Sequence, residues 1–552
     1  MQFRALLAFI LAILVLIVYQ RIATPPHQKA PSPKEESPQV IKEEGREVPR
    51  VVSDMPEKIR GTGRDIFVST DLYTAIFTEN GARLKSFKLK KYRETMGDNS
   101  PPKELVTTSD LEELPLETDF YQGSIKDFKT AIFKAHKDSI VLDGIKKAHL
   151  NFEWATPEGI KVVKTYSFHS HSYKIDLDVR VENLSNRVLQ DRLKVTLKTN
   201  PYAATARRFT FTGPAALING SLTEIKTKKI NREKDFPGKI SWVGYEDVYF
   251  LSAIIPDKPQ DSLVKIEVKQ NNLIYTSLIS PPIVIYPEHS ETFHFHLYLG
   301  PKDLDVLKEL GYGLDKAVNF GFFQIVAKPL LSVLKLLFKF CHNYGIAIIL
   351  LTVLVKIIFW PLTHKSYQSM KAMQKLQPQM AKLREKYKND RERMNKELMA
   401  LYRTYKINPM SGCLPMLLQI PVFFALYKIL LYAIEIRHAP FFLWINDLSA
   451  PDRLAIGFQI PYTGGLPVLT LLMGASMFIQ QKMTPSPGDP TQQKFMMFLP
   501  IIFTFMFLNF PSGLVLYWLV NNLLSIGQQY CINKGISLSG VFLKMRRNSR
   551  IS

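Results

Sequence analysis

Five long apolar stretches crowd the last third of the chain, at residues 344–362, 414–434, 466–482, 495–510 and 514–531. Nothing else in the sequence narrows the fold so much. In hydrocarbon every backbone N–H and C=O must be satisfied inside the protein, so stretches of this kind and length are membrane helices. Several carry Pro or Gly, which membrane helices tolerate. The averages over 552 residues hide the pattern. A mean hydropathy of −0.03, 22% charged residues and a formal net charge of +22 describe an ordinary basic soluble protein. They exclude collagen-like, disordered and disulfide-scaffold classes. The three cysteines are Cys341, Cys413 and Cys531, so residues 22–340 hold no disulfide.

A sixth apolar run, Ala5 to Tyr19, lies between Arg4 and Arg21. The following Tyr19-Gln20-Arg21-Ile22-Ala23 offers no small-x-small cleavage site. That favours an uncleaved signal anchor over residues 1–21 against a removed signal peptide. Residues 22–60 are rich in Pro, Glu and Lys without periodicity, and read as a flexible tether.

Residues 61–311 alternate apolar and polar positions at period two. Asn80-Gly81 is a hairpin signal between Tyr73–Phe77 and Leu84, Phe87, Leu89. Ile175, Leu177, Val179 and Val181 make one strand, and Phe293, Phe295, Leu297 and Leu299 another with His294 and His296 opposite. Many short strands without βαβ spacing predict antiparallel sheets packed as a sandwich. His169 and His171, like His294 and His296, have the i, i+2 spacing that metal sites use. No Cys or Asp/Glu cluster joins them, so solvated strand faces are the better reading. No nucleophile elbow, phosphate loop or metalloprotease motif occurs. The chain reads as no enzyme, and no cofactor or metal is called for.

Residues 312–343 form an amphipathic stretch. Lys328, Lys335 and Lys339 share one helical face, and Phe322, Phe323, Ile325, Leu330, Leu334 and Leu337 cover much of the rest. With a membrane span following at once, this favours a helix lying in the interface over a surface helix of the sandwich.

Charge sets the orientation. Residues 364–411 carry twelve Lys/Arg against four Asp/Glu, the tail 532–552 carries five Lys/Arg and no acid, and the loop 435–465 is near neutral. The two basic segments therefore face the cytoplasm, and the sandwich and the 435–465 loop face outward. Six spans with both termini inside satisfy every segment, with a short cytoplasmic loop at 483–494.

The cytoplasmic segment 363–413 repeats apolar residues at spacings of three and four: Met370, Met373, Leu376, Met380, Leu383 and Tyr387, then Met394, Leu398, Leu401 and Tyr405. Asn389-Asp390 marks the turn between them. This predicts an antiparallel helical hairpin with an apolar seam and a basic exterior. Methionines fill such a seam, and at the tip they also suit contact with varied apolar segments. The exterior fits anionic lipid or ribosomal RNA, and the sequence does not separate these.

Lys356 interrupts the span at 344–362, where a charge costs about 2.5–3.5 kcal/mol at mid-bilayer. Thr352 lies one turn earlier on the same face. Gln419 interrupts the next span, and Asn521, Asn522, Gln528 and Gln529 the last. Snorkelling explains Lys356 alone, and interhelical hydrogen bonding the amides. Polar residues on three separate spans favour a hydrated, positively charged cavity.

The strings Trp360-Pro361-Leu362-Thr363, Lys375-Leu376-Gln377-Pro378, Asn408-Pro409-Met410-Ser411-Gly412-Cys413-Leu414-Pro415, Gln419-Ile420-Pro421-Val422-Phe423, Trp444-Ile445-Asn446-Asp447-Leu448 and Phe510-Pro511-Ser512-Gly513-Leu514 resemble, in order and spacing over about 344–531, the YidC and mitochondrial oxidase-assembly family of membrane protein insertases. The anchor and sandwich resemble its Gram-negative form. The resemblance implies a membrane α-helical protein with a five-helix insertase core and an all-β periplasmic β-supersandwich similar to sugar mutarotases, placed in the inner membrane. It implies a chaperone and insertase for nascent membrane proteins, working alone or with the SecYEG translocon. It implies the ribosome, anionic phospholipid and the signal recognition particle receptor as further partners. The family's groove residue in this span is usually Arg. Lys356 keeps the charge and loses the planar fork of donors.

The site expected from these readings has Lys356, Thr352, Gln419, Asn521 and Gln528 lining a substrate groove. Phe423, Phe424, Tyr427 and Tyr517 form an apolar slide for the substrate. Two other classes stay open: a polytopic transporter, which would usually show inverted repeats not found here, and a mutarotase-like outer domain, which would need a carboxylate and His pair in a sugar-sized pocket.

Overall fold

The computed structural model describes residues 63–97, 99–201, 210–230, 232–405, 414–461, 463–483 and 490–534. The expected anchor at 1–21, the tether at 22–60, half of the loop at 483–494 and most of the tail at 532–552 lie outside them.

The first half of the described chain is β-rich. Its main sheet has thirteen strands, joined by a five-stranded and a two-stranded sheet. Within it Lys174–Asn183 pairs antiparallel with both Ile160–His169 and His289–Pro301, with Ile175 opposite Phe168 and Leu297. The period-two alternation is the reason. Ile175, Leu177, Val179 and Val181 point into the core beside Phe295 and Leu297, all buried. The Asn80-Gly81 turn joins Tyr73–Thr78 to Arg83–Arg93, with Gly81 at φ +70° as a tight turn requires.

Polar groups also enter this core, which the alternation did not announce. Lys164 is fully buried, its Nζ donating to the Gly81 carbonyl at 2.6 Å and lying 4.4 Å from the Phe133 ring centroid. Glu117 holds Lys198 at 2.6 Å and Arg83 at 3.6 Å. Among the described residues no group of three or more His, Cys, Asp or Glu is arranged to hold a metal ion. The strand histidines instead pair with carboxylates: His169 and His296 with Asp176 at 2.8 and 2.7 Å, and His294 with Asp178 at 2.7 Å.

Helices follow: α1 Leu304–Leu310, α2 Gln324–Cys341, α3 Tyr344–Lys375, α4 Gln377–Lys386, α5 Arg391–Thr404, α6 Leu414–Tyr432, α7 Val468–Met483, α8 Pro490–Phe507 and α9 Ser512–Asn533. Asp303, Asn343 and Asp390 cap α1, α3 and α5 through their side chains. Among the described residues, Gly321–Cys341 and Tyr344–Lys375 are long and apolar enough to cross a membrane. Helix α2 thus meets that criterion as well as the amphipathic one read from its lysines. Helix α3 runs on past Pro361 and past the expected boundary at 362, which carries Met370 and Met373 on the long helix rather than in the hairpin.

Helices α4 and α5 pack through Leu376, Met380 and Leu398, with Leu383, Met394, Leu401 and Tyr402 around them. The seam takes Tyr402 instead of the expected Tyr405. Helix α5 ends at Thr404, so Tyr405 lies beyond its last turn and is exposed. The Tyr402 hydroxyl donates to the Met380 sulfur at 3.7 Å.

Candidate functional site

Helix α3 carries Thr352, Lys356, Thr363 and Tyr367 at spacings of four, seven and four, which puts all four on one face. Helix α9 carries two polar rows. Tyr517, Asn521, Ser525 and Gln528 form one, and Asn522 and Gln529, seven apart, form the other. These rows face different neighbours.

The first row faces α3. The Lys356 ammonium donates to Ser525 Oγ at 2.7 Å, and that hydroxyl donates to the Asn521 carbonyl at 2.7 Å. Tyr367 bonds to Ser525 and to Gln480 of α7. Gln528 Nε2 donates to Thr363 Oγ1 at 2.9 Å, while its Oε1 is buried with no partner among the described residues. At the end of the row Lys371 Nζ donates to the carbonyls of Ile532 and Asn533, both at 3.0 Å, so it caps α9. The second row faces α7. Asn522 Nδ2 donates to Ser476 Oγ at 3.0 Å, and Gln529 Nε2 to the Met483 carbonyl. Helix α9 is therefore clamped on two sides by polar contacts, and Asn521, Asn522, Ser525, Gln528 and Gln529 are all buried.

The outside of the same helices is apolar. Leu350, Leu354, Ile357 and Ile358 of α3, Leu471, Leu472 and Ile479 of α7 and Phe498, Ile501 and Phe505 of α8 are exposed. Water would not favour such a bundle, and a bilayer would. Lys356 has no carboxylate within ion-pair distance among the described residues. Its charge therefore stays uncompensated in a polar interior with an apolar surround. Such a site attracts an anionic group. In the same α3–α9 seam, Gln528 Oε1, buried without a partner among the described residues, marks a place for water or a ligand donor.

The expected residues fall into three places. Lys356 and Gln528 are in the α3–α9 seam, and Asn521 reaches it through its carbonyl. Thr352 is buried on the same face and returns its hydroxyl to the Ile348 carbonyl of its own helix at 2.7 Å. Gln419 stands apart on α6, where Nε2 donates to the Tyr517 hydroxyl at 3.3 Å. Three of the four aromatic residues meet on α6, where Phe423 lies 5.3 Å from Phe424 and 6.4 Å from Tyr427 between ring centroids. Phe423 and Tyr427 join an aromatic cluster spanning α6, α8 and α9, with Phe423 4.9 Å from Trp518 and Tyr427 5.4 Å from Phe510. Phe424 also stacks on Phe323 at 5.2 Å. Tyr517 is buried.

Ser525, Thr363, Tyr367, Ser476 and Gln480 escaped the sequence reading. Thr363 and Tyr367 were findable, because they extend the Thr352–Lys356 spacing. Ser476 and Gln480 are one turn apart on α7, a weaker signal, since serine commonly bonds its own helix.

Comparison with known proteins bears on this site. Residues 336–539 match the family model described as 60Kd inner membrane protein, and residues 65–333 the model described as YidC periplasmic domain. The membrane protein insertase YidC of Syntrophus aciditrophicus is 45% identical, over 97% of this chain and 100% of its own. That of Syntrophobacter fumaroxidans is 46% identical, over 85% and 86% respectively. A crystal structure of an active YidC insertase with its first transmembrane domain resolved aligns at 18% identity over 85% of this chain and 95% of its own, with a TM-score of 0.36.

Proposed function

The chain belongs to the YidC family of membrane protein insertases, a non-enzymatic family, and we propose that it inserts nascent membrane proteins by way of the polar interior around Lys356. The observation that carries this reading is the Lys356 ammonium, held by one hydroxyl and, among the described residues, by no carboxylate, between helices that are apolar outside. No step is covalent. A hydrated groove shortens the hydrocarbon barrier, and Gln528 Oε1, without a partner among the described residues, supports hydration there. Lys356 draws acidic residues of a substrate's short outer tail inward. The substrate's apolar segment passes along Phe423, Phe424 and Tyr427, and Tyr517 joins them when its bond to Gln419 opens. Burial in lipid drives release, at roughly 25 cal/mol per Å² of apolar area.

The proposed topology is six spans. The anchor at 1–21, α3, α6, α7, α8 and α9 cross the bilayer, α2 lies along the outer interface, both termini are cytoplasmic and the β domain is periplasmic. The charge asymmetry supports it. The basic α4–α5 hairpin and tail meet the ribosome, anionic phospholipid and the signal recognition particle receptor, and the bundle works alone or beside SecYEG, also assisting folding.

Charges about 8 Å apart at an effective dielectric of roughly 20 attract by about 2 kcal/mol. Lys356→Ala should therefore reduce insertion of acidic-tailed substrates severalfold more than of neutral-tailed ones, and Lys356→Arg should restore it. Insertion in cells depleted of the native protein checks this. Equal loss for both tails, or none, would sink the charge mechanism.

A further inference from the structure

Residues 433–467 run between α6 and α7, and their first half closes one end of the helical bundle. Helix α6 ends there, and α3, α7 and α9 begin there. Three sets of contacts hold the cap in place. Phe441 packs directly on Gly345 in the first turn of α3, where any Cβ would collide with its ring. Asp452 is buried and accepts from Trp444 Nε1 at 2.7 Å and from the Thr470 amide of α7 at 3.1 Å. Ser512 and Gly513, at the start of α9, donate backbone N–H to the carbonyls of Ala450 and Leu448 at 2.7 and 2.9 Å.

Within this cap, residues 441–445 form a tight turn. The Phe441 amide donates to the Ile445 carbonyl at 2.9 Å, and the Ile445 amide to the Phe442 carbonyl at 3.2 Å. Both residues at its apex are large and apolar. Phe442 is 53% exposed and Leu443 86%. Leu443 has φ +60°, a left-handed conformation in which an exposed turn ordinarily places Gly or Asn. At 86% exposure this leucine side chain buries little apolar surface against the described residues. On the other flank of the same helix end, Phe338 stacks on Tyr344 at 4.0 Å, and Phe340, close by at the end of α2, is 76% exposed. Exposed apolar side chains thus stand on both flanks of the first turn of α3, about five residues before Leu350 begins that helix's exposed apolar face.

We propose that the Phe442-Leu443 apex is a membrane anchor that inserts into the headgroup–acyl boundary of the outer leaflet and fixes the depth at which the helical bundle sits. The occupant is lipid because the apex lies at the level where the bundle's apolar exterior begins. The frame also places aromatic rings beside it, as interfacial belts do. Single exposed apolar residues on a soluble surface need no explanation, but two adjacent ones on a braced turn at this level do. The inference rests on the reading above that α3 spans the bilayer.

The test uses the full chain in phosphatidylethanolamine and phosphatidylglycerol vesicles, with Cys341, Cys413 and Cys531 changed to Ser. An NBD fluorophore is attached at Leu443→Cys, at Ile357→Cys on the exposed face of α3 and at Lys258→Cys on the β domain. Acyl chains brominated near the carbonyl end should quench position 443 about twice as strongly as chains brominated near the methyl end, as shallow burial requires. Aqueous iodide should quench 258 but not 443. Phe442→Cys in the same background should repeat the result. Iodide quenching of 443 with lipid quenching of 357 overturns the anchor and leaves the span standing. Shielding of 443 from both quenchers means a protein covers it, which also overturns the anchor. Absence of lipid quenching at 357 overturns the span and the anchor together.

Discussion

Around Asp176 three cation-capable side chains converge: His296, His169 and Lys174, at 2.7, 2.8 and 2.9 Å. Burial pushes the carboxyl up, but hydrogen bonds from His296, His169 and Lys174 outweigh it and hold Asp176 well below the usual carboxylate range. A depressed carboxylate adds stability that is present above its unfolded value of about 4 and lost as pH falls through the folded value. Thermal unfolding should thus show a β domain that weakens on acidification below about pH 4. Asp176→Asn should flatten that acid limb and lower the midpoint near neutrality; an acid limb unchanged in the variant would assign the loss elsewhere. The histidine spacing was legible in the sequence. Its carboxylate partner was not, because Asp176 and His296 lie 120 residues apart and meet only by strand register.

Between elements, the decisive contacts are polar groups that helices or strands bury against each other. Lys302 and Glu246 pair at 2.8 Å with both side chains almost fully buried, and Lys302 lies 6.0 Å from the Tyr432 ring of α6. Burial pushes the Glu246 carboxyl up, and Lys302 opposes that. Lys302→Met leaves an unpaired acid in the core and should destabilise by about 3–5 kcal/mol. The loss should grow as pH rises, because a carboxyl with a raised value is stable protonated and is penalised once it ionises. Adding Glu246→Leu should recover most of it. Denaturant unfolding of the single and double variants measures both, and no recovery in the double would mean that shape, not charge, sets the penalty. The hairpin seam shows the reach of periodicity. Its spacing found Met380, Leu383, Leu398 and Leu401, and failed at Tyr405, where the helix had ended.

Over the whole molecule, the β domain is locked to the bundle by charge as much as by apolar contact. Lys335 of α2 joins Asp305 at 2.6 Å and Glu435 at 2.9 Å. Arg437 donates to the carbonyls of Arg93 and Glu94 at 2.7 and 3.1 Å and lies 5.4 Å from the Phe250 ring. The Phe211 amide donates to the Tyr432 hydroxyl at 3.2 Å. Lys335 was read as sharing one face of an interfacial helix with Lys328 and Lys339. It is partly buried and paired instead, because α1 and the chain after α6 both bring carboxylates to it. Lys335→Ala with Arg437→Ala leaves Glu435 buried without its partner, at several kcal/mol. Proteolysis between the β domain and α2 should accelerate about tenfold or more, tenfold being about 1.4 kcal/mol. Unchanged cleavage would mean that apolar packing alone holds the junction.

What the sequence determined by itself was local and periodic: where apolar runs demand helices, where alternation demands strands, where a cap or an Asn-Gly turn ends an element, and that Lys356 and several amides sit inside apolar runs. Each is set by the 3.6- and 2-residue repeats of the backbone and by neighbours a turn away. Only the tertiary structure decided the partners: Ser525 for Lys356, Ser476 for Asn522, Glu435 for Lys335, and a bare Phe442-Leu443 apex on a braced turn. A long-range hydrogen bond depends on which faces of which elements pack, and no local repeat encodes that choice.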